Sequence, residues 1–415
     1  MTYPLAPTLD AARERDATDP LLRFRERFYL LPDTIYMDGN SLGLLSRDAE
    51  SSLLETLEVW KRRGVAGWFE GDAPWLDSAE DVGDLAAEMM GAAPDQVIHS
   101  STVTTNIHAL VGSLYAPEGR RVKILADELN FPTDLYALHS QLKIRGRDPA
   151  EDLVLVGSND GRTLDEDQII QQMTSEVALI WLPSVLYRSG QLLDMRRLTT
   201  AAHERGILIG FDCCHSAGAV PHDLDRWGVD LAVWCGYKYL NSGPGGSAFL
   251  YVNRRHWDVD PVLTGWFGNR RETMFDMATD FEPRAGAGRW QISSPGILGS
   301  STLRGSLAMI NEAGIQNLRS RSLDMTSYLM ALVDDQLAGY GFRIGTPRED
   351  SRRGGHIAIE HDTDAERICA ALIERGVVPD FRPPNVIRIC PSPLYGNFVE
   401  IWDVVQHLKA IAEGA

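Results

Sequence analysis

The sequence lacks any apolar run long enough to cross a membrane. A membrane-spanning helix needs about 20 consecutive apolar residues, whereas the most apolar stretch, Val177 to Leu182, has the length of a strand and ends at Pro183. The N-terminal segment lacks the basic and then apolar pattern of a signal peptide. These absences argue against a membrane protein and against a secreted one, so we expect a cytoplasmic location.

Cysteine and positive charge are both scarce. The five cysteines in this chain of 415 residues form no CxxC pair, so we expect neither a disulfide framework nor a metal site. Lysine and arginine number 40 against 58 aspartate and glutamate, which gives a formal net charge of −18. Because nucleic acids and anionic membranes attract basic proteins, the sequence predicts neither as a partner.

Short apolar runs alternate with segments of helical periodicity in the middle of the chain. The runs that predict strands are residues 121–126, 152–156, 177–182, 207–211 and 230–235. The predicted helices between them include Leu135–Arg145, Asp165–Met173 and Leu198–Arg205. This alternation is typical of an α/β domain with a largely parallel sheet that helices cover on both faces.

The pattern changes after Pro295. A long helical stretch from Ser301 to Gln336, interrupted near Gly314, leads into a smaller unit of alternating strands and helices. The predicted elements of this unit are a strand at His356–Glu360, a helix at Asp364–Arg375, a strand at Val386–Ile389 and a helix at Phe398–Glu413. We expect a large domain over residues 51–300, a small α+β domain over residues 301–415, and an N-terminal segment, residues 1–50, that packs with the small domain.

An acidic residue and a lysine end two successive predicted strands. Asp212 follows the strand at 207–211, and Lys238 follows the strand at 230–235. Ligands of parallel sheets bind outside the carboxyl ends of the strands. Pyridoxal phosphate needs such a pair, because the lysine binds the cofactor covalently and the carboxylate keeps the pyridine nitrogen protonated. Either residue alone could cap a turn or be solvated, but their order along the chain favours the cofactor.

A cluster of hydroxyl side chains is a candidate site for the cofactor's phosphate. Residues Ser100 to Asn106 follow a predicted strand, Gln96 to His99, and open an apolar helix at Ile107–Leu114. Hydroxyls and free N–H groups at a helix N-terminus bind phosphate well. The same cluster could also be an ordinary helix cap.

Several motifs together resemble the kynureninase family, which belongs to the fold type I pyridoxal-phosphate enzymes of the aspartate aminotransferase superfamily. The matching segments span nearly the whole chain: Met37-Asp-Gly-Asn-Ser-Leu-Gly43, Asn130-Phe-Pro-Thr-Asp-Leu-Tyr136, Asp212 with His215-Ser-Ala-Gly-Ala-Val-Pro221, Tyr237-Lys-Tyr-Leu-Asn241, Gly265-Trp-Phe-Gly268 and Val386-Ile-Arg-Ile-Cys-Pro-Ser-Pro-Leu-Tyr395. The resemblance implies a transferase-like α/β fold with a mostly parallel seven-stranded sheet and a smaller C-terminal α+β domain. It also implies a homodimer with active sites at the subunit interface.

The resemblance assigns roles to individual residues. The catalytic group would be Lys238, Asp212 and Tyr237. The pyridoxal-phosphate group would be Val103, Thr104, Phe131, Asp134, Asp212, His215, Tyr237, Lys238, and, from the partner subunit, Trp266 and Ser294. The substrate group would be Arg388, which binds the α-carboxylate, with Trp68, Asn40 and Ser41.

Some positions depart from the family pattern. Leu186 stands where bacterial members usually have asparagine, and Pro183-Ser184 replaces a common Thr-His pair. Cys213 and Cys214 replace more usual apolar residues, and we interpret them as small core-filling side chains. Trp68 and Ser294 stand where animal members have a histidine and an asparagine for 3-hydroxykynurenine, which resembles the bacterial type that favours unsubstituted kynurenine.

The implied activity is hydrolysis of L-kynurenine to anthranilate and L-alanine in tryptophan catabolism and NAD biosynthesis, with 3-hydroxykynurenine as a second substrate. Three alternatives stay open. The first is a paralogue that acts on a ring-substituted kynurenine in secondary metabolism. The second is a cysteine desulfurase-like lyase, although such an enzyme needs a mobile catalytic cysteine and Cys369 lies in an apolar helical pattern. The third is a non-catalytic binding protein, against which Lys238, Asp212 and Arg388 together argue.

Overall fold

The computed structural model describes residues 5–245 and 247–414. Its α-helices are α1 (Leu9–Thr18), α2 (Arg47–Arg63), α3 (Ser78–Ala87), α4 (Val103–Leu114), α5 (Pro132–Ile144), α6 (Pro149–Asp152), α7 (Glu166–Gln171), α8 (Met195–His203), α9 (Leu224–Trp227), α10 (Ile297–Ala313), α11 (Ile315–Gln336), α12 (Ala365–Glu374) and α13 (Phe398–Ala412). Its strands are β1 (Ile35–Tyr36), β2 (Val97–His99), β3 (Lys123–Asp127), β4 (Leu153–Val156), β5 (Val177–Pro183), β6 (Leu208–Asp212), β7 (Leu231–Cys235), β8 (Ala248–Val252), β9 (Phe342–Ile344), β10 (Ile357–His361), β11 (Val377–Val378), β12 (Asp380–Arg382) and β13 (Val386–Ile389). None of the helices in these ranges combines the length and apolar character that crossing a bilayer requires.

The centre of the large domain is a seven-stranded sheet with the order β2-β8-β7-β6-β5-β3-β4. Its strands run in one direction except β8, which is antiparallel to both of its neighbours. Each strand predicted in the middle of the chain forms within two residues of its predicted bounds. The expectation of a mostly parallel sheet is therefore confirmed, while β8 is an additional strand that the pattern analysis missed.

Strand β5 shows why the sheet is covered on both faces. All its residues are buried, and successive side chains of a strand point to opposite faces. Ile180 and Leu182 join an apolar cluster with α8 and α10, whereas Leu179 and Trp181 join a second cluster with α4 and α5. A strand that is buried on both faces has a continuous apolar sequence, as β5 does.

The C-terminal part forms a second core around a four-stranded antiparallel sheet with the order β12-β13-β10-β9. The helices α11, α12 and α13 cover this sheet and share a cluster of buried aliphatic and aromatic side chains with it. The predicted break of the long helix occurs at Gly314, between α10 and α11. Strands β9 and β12 did not stand out in the sequence because each has only three residues.

The N-terminal segment is tied to the C-terminal part by charged groups. The guanidinium of Arg321 in α11 is buried against the carboxylate of Asp19. Asp16 accepts hydrogen bonds from the backbone N–H groups of Phe398 and Val399, which begin α13. These contacts support a division that we propose: an N-terminal segment (1–50, of which residues 1–4 lie outside the described residues), a large domain (51–300) and a small domain (301–415).

Asp230 is a buried carboxylate at one end of the large sheet, and Asp212 lies at the opposite end. Asp230, just before β7, is 1% exposed. It accepts hydrogen bonds from His203 Nε2 (2.9 Å), His256 Nε2 (2.8 Å) and the backbone N–H of Ile209 (3.0 Å). Burial opposes ionisation of this group, but these hydrogen bonds prevail and lower the pKa of Asp230 to about 2. The ionised carboxylate therefore joins β6, α8 and the segment after β8.

We predict that Asp230→Asn lowers the free energy of unfolding at neutral pH by about 2 kcal/mol, because charge-assisted hydrogen bonds are lost. The pKa of Asp230 is depressed in the folded state, so its stabilisation is complete above the pKa of an unfolded aspartate and disappears as the pH falls towards 2. Urea unfolding of both proteins at pH 7, 5 and 3 checks this. Asp335→Asn, which alters an exposed carboxylate on α11, is the control, and an unchanged difference at pH 3 contradicts the prediction.

Candidate active site

A cavity of about 440 Å³ is lined by residues that end β5 and β6 and by residues of β12 and β13. Ten of the residues proposed from the sequence line it: Asn40, Ser41, Val103, Thr104, Phe131, Asp212, His215, Tyr237, Lys238 and Arg388. The other lining residues are Thr102, Thr133, Pro183, Val185, Tyr187, Cys214, Gly245 and Arg382. The cavity thus combines groups from the N-terminal segment, the large sheet and the small sheet.

Asp212 and Lys238 lie at one edge of the large sheet because β6 and β7 are parallel. Asp212 is the last residue of β6, and its Oδ1 accepts a 2.7 Å hydrogen bond from the backbone N–H of Cys214. The Nζ atom of Lys238 lies 2.9 Å from Nε2 of His215. No carboxylate among the described residues forms an ion pair with this amine, and His215 is its hydrogen-bond neighbour.

His215 is a buried histidine beside the lysine. Burial lowers the pKa of His215 well below its ordinary value, and the positive charges of Lys238 and Arg388 lower it further. Its ring packs edge-on against the ring of His356, with the ring centres 5.6 Å apart. A neutral imidazole at hydrogen-bond distance from Nζ can accept a proton from the amine.

Asp134 lies behind the cavity and does not line it. This residue of α5 is fully buried, and its Oδ2 accepts a 3.0 Å hydrogen bond from Nε1 of Trp181. Burial and the neighbouring charge of Asp212 raise the pKa of Asp134 well above its ordinary value. The raised pKa favours the protonated form of Asp134.

The N-terminus of α4 forms one end of the cavity and has the donors that an anion needs. The helix begins at Val103, earlier than predicted, and Thr102 caps it through a hydrogen bond from the backbone N–H of Thr105. The backbone N–H groups of the first helical turn have no acceptor within the helix. The hydroxyl groups of Thr104 and Thr133 lie 3.0 Å apart beside them, so N–H and O–H donors converge here.

Arg388 lies on β13 and is 1% exposed. It donates hydrogen bonds to the backbone carbonyl of Tyr187 (2.8 Å) and to Oγ of Ser41 (3.0 Å), and it contacts the carboxylate of Asp380. With the Asn40 amide oriented so that both its polar atoms have partners, its oxygen accepts from Nε and Nη1 of Arg388 at 3.3 Å. A buried guanidinium held in this way presents a fixed fork for a carboxylate.

Tyr237 and Gly43 connect the N-terminal segment to the lysine loop. The backbone carbonyl of Tyr237 accepts a 2.8 Å hydrogen bond from the N–H of Gly43. A Cβ at Gly43 would lie 2.5 Å from the carbonyl oxygen of Lys238, so this close approach requires glycine. Burial and the neighbouring thiols of Cys235 and Cys214 raise the pKa of Tyr237, and the phenol stays a proton donor.

Besides Asp134, three residues proposed from the sequence do not line the cavity of a single chain. Trp68 packs against Trp75 and Phe267, with ring centres 5.8 and 6.0 Å apart. Trp266 is about half exposed and its indole N–H donates to the backbone carbonyl of Met274. Ser294 is exposed. The resemblance places Trp266 and Ser294 in the partner subunit's site, so their position outside this cavity is compatible with that role, whereas Trp68 lies in an aromatic cluster.

Sequence reasoning missed Tyr187, Asp380 and Arg382. The ring of Tyr187 packs edge-on against that of Phe131, with ring centres 5.3 Å apart. Asp380 and Arg382 share one face of β12, and the alternation Asp-Phe-Arg was the available signal. Ser184, which departs from the family pattern, is fully buried, and its hydroxyl donates to the backbone carbonyl of Asp212. Among residues 5–245 and 247–414, no group of three potential ligands could hold a metal ion.

Proteins with known folds share this architecture. A cysteine desulfurase from Thermococcus onnurineus has a TM-score of 0.78 and 16% identity, with 95% of this chain and 98% of that chain covered. The cysteine desulfurase CsdA from Escherichia coli has a TM-score of 0.79 and 17% identity, with the same coverage. At such identities the likeness establishes the fold alone, and it confirms the transferase-like fold expected from the sequence.

Sequence comparison is more specific. The family described as "Kynureninase C-terminal domain" matches residues 318–408. Curated proteins named kynureninase match nearly the whole chain: the protein from Geobacillus thermodenitrificans is 53% identical over 99% of this chain and 95% of its own length, and that from Shouchella clausii is 52% identical over 97% and 94%. The desulfurase-like alternative has no comparable support. At this identity over this length, the chain belongs to the kynureninase family.

Proposed function

We propose that the protein is a pyridoxal-phosphate enzyme that hydrolyses L-kynurenine to anthranilate and L-alanine. The observation that carries the proposal is the placement of Lys238, Asp212 and Arg388, an amine, a carboxylate and a guanidinium, around one cavity. The full-length similarity to proteins named kynureninase supports the same reaction. In this reaction water cleaves the Cβ–Cγ bond, the acyl carbon takes the hydroxyl group, and Cβ takes a proton.

The cavity residues fit pyridoxal phosphate at three points. The amine of Lys238 suits the cofactor's aldehyde, the carboxylate of Asp212 suits the ring nitrogen, and the N-terminal turn of α4 suits the phosphate. Phe131, which is 42% exposed, provides an aromatic wall for the ring. When bound, the cofactor supplies an electron sink that makes the Cα proton of an amino acid acidic.

The chain's own residues provide binding and proton transfer. Arg388 binds the α-carboxylate, which places the amino group of the substrate near Lys238. With the cofactor bound, Lys238 would remove the Cα proton, and neutral His215 can accept a proton from Nζ at 2.9 Å. Because Tyr237 keeps its proton, it is the candidate donor to the γ-carbonyl oxygen when water attacks.

We also propose a homodimer with its active sites at the subunit interface. Phe69, Trp266 and Phe275 form an aromatic cluster, with ring centres 5.4 to 5.7 Å apart, and each ring is about half exposed. Met277, on the same segment, is 74% exposed. Contiguous exposed apolar groups of this kind mark interaction surfaces. A partner that covers this surface could insert Trp266 and Ser294 into the cavity of the other subunit, as the family pattern implies.

The cellular setting follows from the same assignment. We infer a cytoplasmic enzyme of tryptophan catabolism through kynurenine, in the direction of NAD biosynthesis. Neither nucleic acid nor membrane is proposed as a partner, in accordance with the net charge of −18.

The first test is incubation of the purified holoenzyme with L-kynurenine. We expect anthranilate fluorescence to rise and L-alanine to form in equal amount. Lys238→Ala lowers the rate by at least about 10³-fold, because the amine that moves the Cα proton is absent. It also removes the visible absorbance of the lysine-bound cofactor. Lys143→Ala, which alters an exposed lysine at the end of α5, is the control, and sulfide release from cysteine without anthranilate formation contradicts the proposal.

Substrate choice is tested by comparing kcat/KM for L-kynurenine, 3-hydroxykynurenine and a ring-halogenated kynurenine. We expect the unsubstituted compound to react best, by about tenfold, a typical discrimination from one small group in a pocket. A higher kcat/KM for the halogenated compound favours the paralogue of secondary metabolism instead.

The dimer is tested by placing a charge in the aromatic cluster. Phe275→Asp raises the dimer dissociation constant by at least about 100-fold, because a central aromatic contact is replaced by a carboxylate that must be desolvated. Sedimentation velocity at several concentrations measures this, and the kynurenine activity falls in parallel with dimer content. Ile373→Asp, on the exposed side of α12, is the control. A Phe275→Asp protein that remains dimeric and active places the interface elsewhere.

A further inference from the structure

Asp380 lies where a ligand's carboxylate would meet Arg388. Strands β12 and β13 are antiparallel, and Asp380 is the direct cross-strand partner of Arg388. The Oδ2 atom of Asp380 contacts Nη2 of Arg388 and lies 2.9 Å from Nη2 of Arg382 and 3.3 Å from Oγ of Ser41. A carboxylate oxygen of Asp380 is thus paired with the guanidinium of Arg388, on which the proposed function depends.

The donors of Arg388 are already in use. Besides Asp380, they serve the Tyr187 carbonyl, the Ser41 hydroxyl and the Asn40 amide. An incoming carboxylate therefore has to displace at least one existing partner of Arg388. Three neutral partners already hold the side chain in place, so Asp380 is the partner that an anionic ligand most directly replaces.

Arg382 can hold Asp380 after such a replacement. Its guanidinium lies over the ring of Tyr187, 6.0 Å from the ring centre, and its side chain is about one-third exposed. Among the described residues, its Nε is buried without a hydrogen-bond partner. Arg382 therefore has both a charge and a free donor for Asp380.

A bound carboxylate ligand would balance the charge of this group of side chains. Without ligand, two guanidiniums share the carboxylate of Asp380, which leaves an excess of positive charge that attracts an anion. Asp38 is separated from Arg388 by the Asn40 amide. With a bound carboxylate, Arg388 pairs with the ligand and Arg382 with Asp380, so no buried charge is left alone.

We propose that Asp380 is an internal competitor for the substrate's α-carboxylate and that Arg382 withdraws it from Arg388 when substrate binds. This inference rests on the proposed function, because it takes Arg388 as the carboxylate-binding residue. Asp380 and Arg382 are positioning residues that set affinity for carboxylate ligands, and they discriminate against ligands without a full negative charge, which cannot displace Asp380.

The experiment measures binding of 4-oxo-4-phenylbutanoate, which carries the carboxylate and the aryl ketone but no amine, to the holoenzyme by calorimetry. Asp380→Asn keeps the shape and removes the charge, so we expect this ligand to bind about tenfold more tightly, the size of a typical coupling between interacting groups. The same substitution should raise the affinity for the uncharged amide of this compound much less. Asp362→Asn, which removes an exposed carboxylate paired with Arg343 on the same sheet, is the control with unchanged affinity. Weaker carboxylate binding by Asp380→Asn overturns the proposal, since Asp380 would then merely orient Arg388.

A second variant separates withdrawal of Asp380 from general electrostatic attraction. Arg382→Gln leaves Asp380 with Arg388 alone, so the carboxylate binds about tenfold more weakly than to the wild type. In the Asp380→Asn background, the same Arg382→Gln change has little effect, because nothing remains to be withdrawn. An equal loss in both backgrounds would mean that Arg382 acts only through its charge, and it refutes the assigned role.

Failure of the proposed function gives a different result. If the wild-type holoenzyme binds the carboxylate no better than the amide, Arg388 is not the carboxylate site and the proposed function fails. If the wild type prefers the carboxylate but Asp380→Asn does not raise the affinity for it, only the role assigned to Asp380 fails. Measurement of KM for L-kynurenine provides a second readout, since it should fall in Asp380→Asn and rise in Arg382→Gln.

Discussion

The parallel pairing of β6 and β7 is the constraint on which the site depends. It places Asp212 and the loop that carries Lys238 at one edge of the sheet, and the N–H of Cys213 bonds the carbonyl of Val233 to hold the two strands together just beyond Asp212. A strand register different by one residue would turn the Asp212 side chain to the opposite face. The carboxylate of Asp212 and the amine of Lys238 would then no longer share a cavity.

Two buried carboxyl groups at opposite ends of the large sheet have opposite pKa shifts. Asp230 is stabilised by two histidines and a backbone N–H, and its depressed pKa reflects that support. At the other end, Asp134 has a tryptophan N–H but lies near a second carboxylate, and its pKa is raised. The first arrangement stabilises a fixed anion, whereas the second favours the protonated form of a carboxyl group behind the cavity. Stability and reactivity are thus located at opposite edges of one sheet.

The sequence predicted those site residues whose positions follow from the order of strands along the chain. Strand-length apolar runs placed Asp212 and Lys238 at strand ends, and parallel pairing brought them together as expected. Tyr187, Asp380 and Arg382 could not be found in this way, because their position depends on the pairing of two short strands and on how the small sheet meets the large one. The part proposed for Trp266 and Ser294 would depend on a second chain, which no pattern within one chain can specify. Trp68 was proposed for the substrate pocket from the family pattern, and within one chain it packs against Trp75 and Phe267; its part in the pocket stays a prediction.

The junction between the two sheets also explains why the proposed carboxylate site contains a carboxylate of the protein itself. Arg388 is 1% exposed on a strand of the small sheet, and a guanidinium at such depth needs an anionic partner even when no ligand is present. A fixed partner would satisfy the charge but exclude the ligand, whereas no partner would destabilise the small sheet. A carboxylate shared with a second, more exposed arginine satisfies both requirements, because the ion pair can rearrange without leaving either charge alone. Ser41 contacts both Arg388 and Asp380, and Gly43 bonds the lysine loop, so the N-terminal segment links the carboxylate site of the small sheet to the amine of the large one.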